Sequence, residues 1–336
     1  MHPVAEHRKG PGSDADDHLR ADDGEVGDEQ AEENALNCGS ANAPGGARDC
    51  HGHKLDFTLS LSTPVRLDLH LHTTRSDGAL PPEEVAAAAV RAGLDAIAIT
   101  DHDTTDGVVP ARVAAVRQGR LRVIAGIELS CSDAGADFHL LGYGIDPAHG
   151  SLAAVAARLA ALRRERIGEI VARLGALGVA LRLEDVTVPA GNAAMGRPHI
   201  AEALVRRGYV PNAQEAFDLW LRDGGPAHVP HRGPSPAVGI RAVHEAGGVA
   251  VWAHPDLGDA RRFPDLGALG LDGVEALRPG LAPTASAAME HAARAAGLFI
   301  TGGSDWHGTP RPALGSWYVT EKHVPQLLAR LGIATG

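Results

Sequence analysis

Six histidines, interleaved with carboxylates, stand at or near the ends of short apolar runs: His70 and His72, then Asp101, His102 and Asp103, then Glu128, His139, His254, and finally Asp305 with His307. Imidazole nitrogens and carboxylate oxygens are the ordinary ligands of divalent transition metals. In His70-Leu71-His72 the two-residue period of a strand turns both rings to one side and Leu71 to the other, so two nitrogens can address one ion. An HxH pair alone is weak evidence, because buried and surface histidines are both common. Four further histidines and several carboxylates on the same face change that, since burying so many ionisable groups without compensation is very costly. Bound metal is the natural compensation.

Whether these residues meet depends on the elements that carry them. From Val65 onward, short apolar runs end in polar residues, and each is followed by an Ala-rich amphipathic stretch opened by Ser, Asp or Pro, which is the alternation of β/α units. Strands are predicted at VRLDLHL, LDAIAIT, LRVIAGIE, DFHLLGY, GGVAVWA, LDGVEAL and LFITGG, about seven in all. Their continuous apolar character suits parallel strands covered on both faces. The expected fold is α/β, a distorted (β/α)7 barrel with an inserted helical subdomain and a disordered N-terminal tail. In a parallel barrel every strand C-terminus lies at one face, so residues more than two hundred positions apart converge.

Between Tyr143 and Gly248 the alternation stops and helical patterns take over. Residues 146–247 are therefore expected to form a helical insertion capping the site, between barrel segments 63–145 and 248–336. Residues 1–62 show neither helix nor strand period and are expected to be a disordered acidic tail. Residues 1–53 alone hold 12 acidic and 4 basic side chains, most of the net charge of -11. The remainder is near neutral, which argues neither for a nucleic-acid groove nor against a small anionic substrate. Cys38, Cys50 and Cys131 are odd in number and irregularly spaced, so neither a disulfide framework nor a zinc knuckle is on offer. No apolar run reaches the roughly 18 to 20 residues of a membrane span and no signal peptide opens the chain, so a cytoplasmic setting is expected.

The lysines separate two chemistries that use such a cluster. Barrel amidohydrolases also open with HxH and close with Asp, but their commonest binuclear form bridges the ions with a carboxylated lysine. Here no lysine stands between Lys54 and Lys322, and Glu128 is available as the bridge instead.

The segments LHLHTTRSDGALPPEEV, AITDHDTTDG, AGIELS, HLLGY, WAHP and GSDWHG, in that order and spacing, resemble the polymerase and histidinol phosphatase (PHP) family over about residues 65–320. The resemblance is nearest to its stand-alone bacterial members that hydrolyse nucleotide phosphates and trim short oligonucleotides from the 5′ end. It implies that His70, His72, Glu128 and Asp305 hold one ion, and that Glu128 bridges to a second held by His139 and His254. Asp77, His102 and His307 would take a third, with Glu128, Asp305 and His307 at the centre of catalysis. Asp101 and Asp103 are left between ligation and fixing the His102 ring. Two or three divalent ions are implied, manganese first, with zinc or iron as alternatives. They would activate water and neutralise charge on the attacked phosphate, so that no covalent nucleophile is required.

In GRPHIAEALVRRG, Pro198 suits a first helical turn and sets Arg197 and His199 at the positive N-terminus, a place for substrate phosphate. His228, His231 and Arg232 either line the same cleft or form a plain loop. Glu275 ends a strand, but the following ALRPG departs from the aromatic-and-histidine text expected of near relatives. The partners expected are a nucleotide or a short single-stranded oligonucleotide, with no membrane and no obligate protein partner. The rivals are a histidinol-phosphate phosphatase, an amidohydrolase-like enzyme, and a barrel that binds metal or nucleotide without turnover.

Overall fold

The structure is a computed structural model that describes residues 64–119, 121–133, 136–186, 195–308 and 312–334. The expected acidic tail, with Cys50, His51 and His53, lies outside the described residues. Eight strands form one sheet: β1 (Arg66–Leu71), β2 (Ala96–Ile99), β3 (Arg122–Asp133), β4 (Ala136–Tyr143), β5 (Val249–Trp252), β6 (Gly273–Leu277), β7 (Phe299–Gly302) and β8 (Val319–Thr320). Their order is β7-β6-β5-β4-β3-β2-β1-β8. A bridge between Leu71 and Trp306 brings the β7 end back to β1 and nearly closes the barrel. There the His72 amide donates to the Trp306 carbonyl at 3.0 Å.

Helices α1 (Pro82–Arg91) and α2 (Val108–Gln118) follow β1 and β2. Proline in the first turn of α1 presets φ where no amide partner is lost. Gly119 ends α2 at φ 76°, a left-handed cap that a β-carbon would strain. The excursion after β4 holds α3 (Gly150–Ala176), α4 (Arg197–Arg206), α5 (Ala213–Ala216) and α6 (Pro236–Glu245). Three more helices, α7 (Phe263–Ala268), α8 (Pro283–Ala295) and α9 (Pro325–Arg330), complete the β/α pattern.

The sheet differs from an all-parallel barrel at two strands, β4 and the two-residue β8, which pairs antiparallel with β1. β4 runs antiparallel to both neighbours, pairing Ser130 with His139 and Leu140 with Trp252. Only two residues separate Asp133 from Ala136, whereas a parallel crossover needs about a dozen. Running backwards, β4 starts at the face where the other strands end, so His139, near its beginning, still arrives beside Glu128.

The excursion divides by its apolar contacts. Leu152 and Leu159 of α3 and Ile240, Ala242 and Val243 of α6 join the barrel's own core. A separate apolar cluster runs from Ile167 to Val229 and includes Ile170, Leu174, Ile200, Leu204 and Leu221. Among the described residues no helix is long and apolar enough to cross a membrane.

Candidate metal centre

The end of β1 sets the floor. Asp68, His70 and His72 share one side of the strand and all three are fully buried, as is Glu128 to within 1%. Glu128 is the hub. Its Oε2 stands 3.2 Å from His70 Nε2, 3.1 Å from His72 Nε2 and 3.2 Å from His102 Nδ1. Its Oε1 faces the other way, 3.0 Å from His139 Nδ1 and 3.3 Å from His254 Nε2. Asp305 Oδ1 closes the first group at 3.5 Å from His70 Nε2 and 3.4 Å from His72 Nε2. Asp77 anchors a third, with Oδ1 3.3 Å from His307 Nε2 and 3.6 Å from His72 Nδ1, and Oδ2 3.9 Å from His102 Nε2. All nine residues expected as ligands thus converge: from the ends of β1, β2, β5 and β7, from within β3 and β4, and from the loop after β1.

These residues fit divalent metal by their own chemistry. Two donors sharing an ion at about 2.1 Å lie about 3 to 3.5 Å apart, which is the spacing seen here. His72 Nε2, Asp77 Oδ1, His102 Nδ1 and Glu128 Oε1 are buried without a hydrogen-bond partner. Each such orphan costs about 1–3 kcal/mol unless something binds it. The protonation states tell the same story. His72 is pushed up to about 10, because the close carboxylates of Asp305, Glu128 and Asp77 overcome the burial that opposes it. Its neighbour His102, whose ring lies 4.7 Å away, is pushed down to about 3 by burial and by the like charges of His72 and His139. Six crowded imidazoles cannot all carry protons, and cations held between the donors would replace them.

Backbone strain is concentrated at the same place. The non-glycine residues with positive φ among those described are Asp103 (56°), His254 (37°) and Asp305 (51°), which follow β2, β5 and β7. Such conformations cost about 1–3 kcal/mol each and persist where surrounding structure enforces them. The side chains of His139, His254, Asp305 and His307 are 21–34% exposed, so the cluster opens to solvent on that side and is closed beneath.

The flanking acids do different work from that expected. Asp101 accepts from the Thr73 amide at 2.7 Å, Thr73 Oγ1 at 2.8 Å and Ser76 Oγ at 2.7 Å, and so pins the loop that carries Asp77. Asp103 accepts from the Ser130 amide at 2.7 Å and from Arg163 Nε at 2.5 Å. Neither carboxylate bonds to the His102 ring: Asp101 is taken up by the loop after β1, and Asp103 by β3 and α3.

Arg163, which the sequence did not single out, projects from α3 and also donates to Ser130 Oγ and to the Met195 carbonyl. Burial would raise the Asp103 pKa, but the Arg163 guanidinium holds it below the usual carboxylate range. The pair therefore stabilises the fold at neutral pH and loses that contribution as pH falls through the carboxylate range. Arg163→Met leaves a buried charge unpaired and is expected to cost about 3–5 kcal/mol in denaturant unfolding, part of it recovered by adding Asp103→Asn.

Glu275 has a role the sequence reading passed over. Fully buried in the middle of β6, it faces His70 Nδ1 at 3.1 Å and accepts from the His254 amide at 3.0 Å. A carboxylate on the far nitrogen fixes the tautomer and aims Nε2 at the metal side. Glu275→Gln is expected to weaken metal binding by about 10- to 100-fold in a calorimetric titration while the fold persists.

The proposed phosphate residues separate. His199 caps α4 by accepting from the Gly196 amide at 3.1 Å, and it lies near enough to Asp77 to feel its charge. Arg197 is instead engaged by the Leu221 carbonyl at 3.0 Å and Asp223 at 2.6 Å. His231 lies 2.8 Å from the Ser130 carbonyl and Arg232 pairs with Glu169, so this loop ties α3 to the barrel.

With this geometry in place, relatives can be compared. The PHP domain matches residues 68–169. A 3′,5′-nucleoside bisphosphate phosphatase from Chromobacterium violaceum is 35% identical over 250 residues, 72% of this chain and 87% of its own. The chain belongs to the PHP family. The 5′-3′ exoribonuclease Rnm of Escherichia coli is similar too, 35% identical over 192 residues, 57% of this chain and 66% of that one. A solved metal-dependent phosphoesterase from Bifidobacterium adolescentis superposes with a TM-score of 0.71 at 34% identity, covering 79% of this chain and 96% of its own. Membership of the PHP family carries the enzyme class: the chain is a metal-dependent phosphoesterase, a hydrolase of phosphate esters. The expectation of an α/β barrel of this family holds.

Proposed function

We propose that the chain hydrolyses 5′-phosphorylated nucleotides, nucleoside 3′,5′-bisphosphates first and short single-stranded RNA or DNA from the 5′ end. The observation that carries this is Glu128, whose two oxygens face two different sets of imidazoles. Its support from outside the chain is the 35% identity to a nucleoside bisphosphate phosphatase. His70, His72, Glu128 and Asp305 would hold one ion, Glu128, His139 and His254 a second, and Asp77, His102 and His307 a third, and such ions would supply Lewis acidity and an activated water for attack at phosphorus. Manganese is our choice of metal, because His-plus-carboxylate sets of this kind accept it alongside zinc and iron.

The protein's own part is positional. Glu275 aims His70, Asp101 holds the loop of Asp77, and Arg163 fixes the α3 side of the site against β3. We take the segment with its own core, from Ile167 to Val229, as the cap proper, narrower than 146–247. His199, close enough to Asp77 to feel its charge, is a better candidate than Arg197, which is tied to Asp223, for contacting a substrate phosphate. A cap over the open side favours small or single-stranded substrates found in the cytoplasm.

The test is phosphate release by manganese-loaded protein from adenosine 3′,5′-bisphosphate, AMP, histidinol phosphate and a 5′-phosphorylated trinucleotide, with Asp305→Ala alongside. Activity on the bisphosphate or trinucleotide, absent in the variant, is the expected result. Turnover confined to histidinol phosphate would overturn it.

A further inference from the structure

Asp68 Oδ2, Tyr143 Oη and Thr301 Oγ1 are buried oxygens outside the metal cluster, and none has a hydrogen-bond partner among the described residues. The three residues are fully buried and come from β1, β4 and β7. They are nonetheless neighbours, because Thr301 stands beside the Tyr143 hydroxyl, and Tyr143 feels the charges of Glu275, Glu128 and Asp68. The interior cluster that holds Tyr143 is otherwise apolar, with Leu69, Leu141, Val251 and Phe299 among its members, so it offers the hydroxyl nothing. Burial first, and then those negative charges, keep the phenol protonated, which makes Tyr143 a donor at every working pH. Thr301 brings a second hydroxyl donor, and Asp68 Oδ2 is an acceptor. Leaving such groups unmet in a sealed interior is costly. One internal water meets them, since it accepts twice and donates twice.

The other oxygen of Asp68 is already engaged. Its Oδ1 accepts from the Ser304 amide at 2.9 Å and lies 3.4 Å from the His70 amide. It therefore ties the backbone beside Asp305 to the backbone of His70, and how that carboxylate is turned depends on what holds Oδ2. We propose that one water sealed inside the barrel bridges Asp68 Oδ2, Tyr143 Oη and Thr301 Oγ1, and that through it Tyr143 and Thr301 are positioning residues for the ion site of His70, His72, Glu128 and Asp305. The water locks Asp68, and Asp68 sets His70 against Asp305, whose facing atoms stand 3.5 Å apart. The inference concerns the ion site and holds whichever phosphate ester is hydrolysed.

The experiment uses the full chain with Tyr143→Phe, Thr301→Val and the two together, changes that keep each side chain's outline and remove its hydroxyl. A crystal structure of the manganese-loaded parent is expected to show a water within about 2.7–3.2 Å of all three oxygens. Manganese affinity by calorimetric titration is expected to fall about tenfold in each single variant and no further in the double variant, because both hydroxyls act through one water. Melting of the metal-free proteins separates this from a loosened core. Variants that melt earlier without metal yet bind manganese as tightly as the parent overturn the proposal. So do losses that add in the double variant, and so does a parent structure in which the hydroxyls bond directly to Asp68 or no water lies between the three oxygens. If a variant does not fold, the parent crystal structure and the remaining single variant decide the matter.

Discussion

Glu128→Gln is expected to lose phosphoesterase activity by about a thousandfold or more, roughly 4 kcal/mol of transition-state stabilisation, and to lose bound metal with it. The substitution keeps the shape of the side chain but removes its charge and one acceptor. Glu128 Oε2 lies within 3.2 Å of nitrogens on His70, His72 and His102, and Oε1 within 3.3 Å of nitrogens on His139 and His254. No other carboxylate among these contacts reaches both sides, so its loss dismantles two ion sites rather than one. Metal content by elemental analysis and phosphate release by colorimetry check this together. A variant that keeps its metal and most of its rate would mean that Glu128 is a buried anchor for protonated histidines.

Gly303→Ala is expected to cost about 2–3 kcal/mol of stability and to impair metal binding although the residue carries no ligand. A β-carbon at Gly303 would stand 2.2 Å from the His70 β-carbon and 2.6 Å from its backbone nitrogen. Neither is the flexible end of a side chain, so β7 and β1 must move apart. The displaced elements carry His70 and Asp305, which meet at 3.5 Å. Denaturant unfolding reads the stability, and metal titration reads the site. A variant as stable as the parent, with unchanged affinity, would show that the barrel yields here more easily than its packing suggests.

The convergence of eight of the nine residues was legible in the sequence because each ends, follows or interrupts an apolar run, where a barrel gathers its chemistry. Asp77, in the polar stretch TTRSDG, was implied only by the family resemblance. The direction of β4 was not, since DFHLLGY has the same apolar character whichever way it runs. The two-residue connection between Asp133 and Ala136 held the signal, but strand three was read as ending at Glu128 and that connection looked longer. Leu129 and Cys131, alternating with Ser130 and Ser132, extend it to Asp133. β8, two residues long, has no period to detect. Glu275 was available as an acid inside the buried strand LDGVEAL, which must find a partner. Arg163 was not, because in LRRERIG it is one of three arginines on a helix and only the fold brings it to Asp103.

Metal dependence of nucleotide hydrolysis is tested most directly by phosphate release from adenosine 3′,5′-bisphosphate in manganese-loaded protein, in the same protein after exhaustive chelation, and after manganese is restored. Release that disappears with the metal and returns with it is the predicted result. Undiminished release after elemental analysis finds the protein free of metal would contradict the chemistry assigned to this cluster.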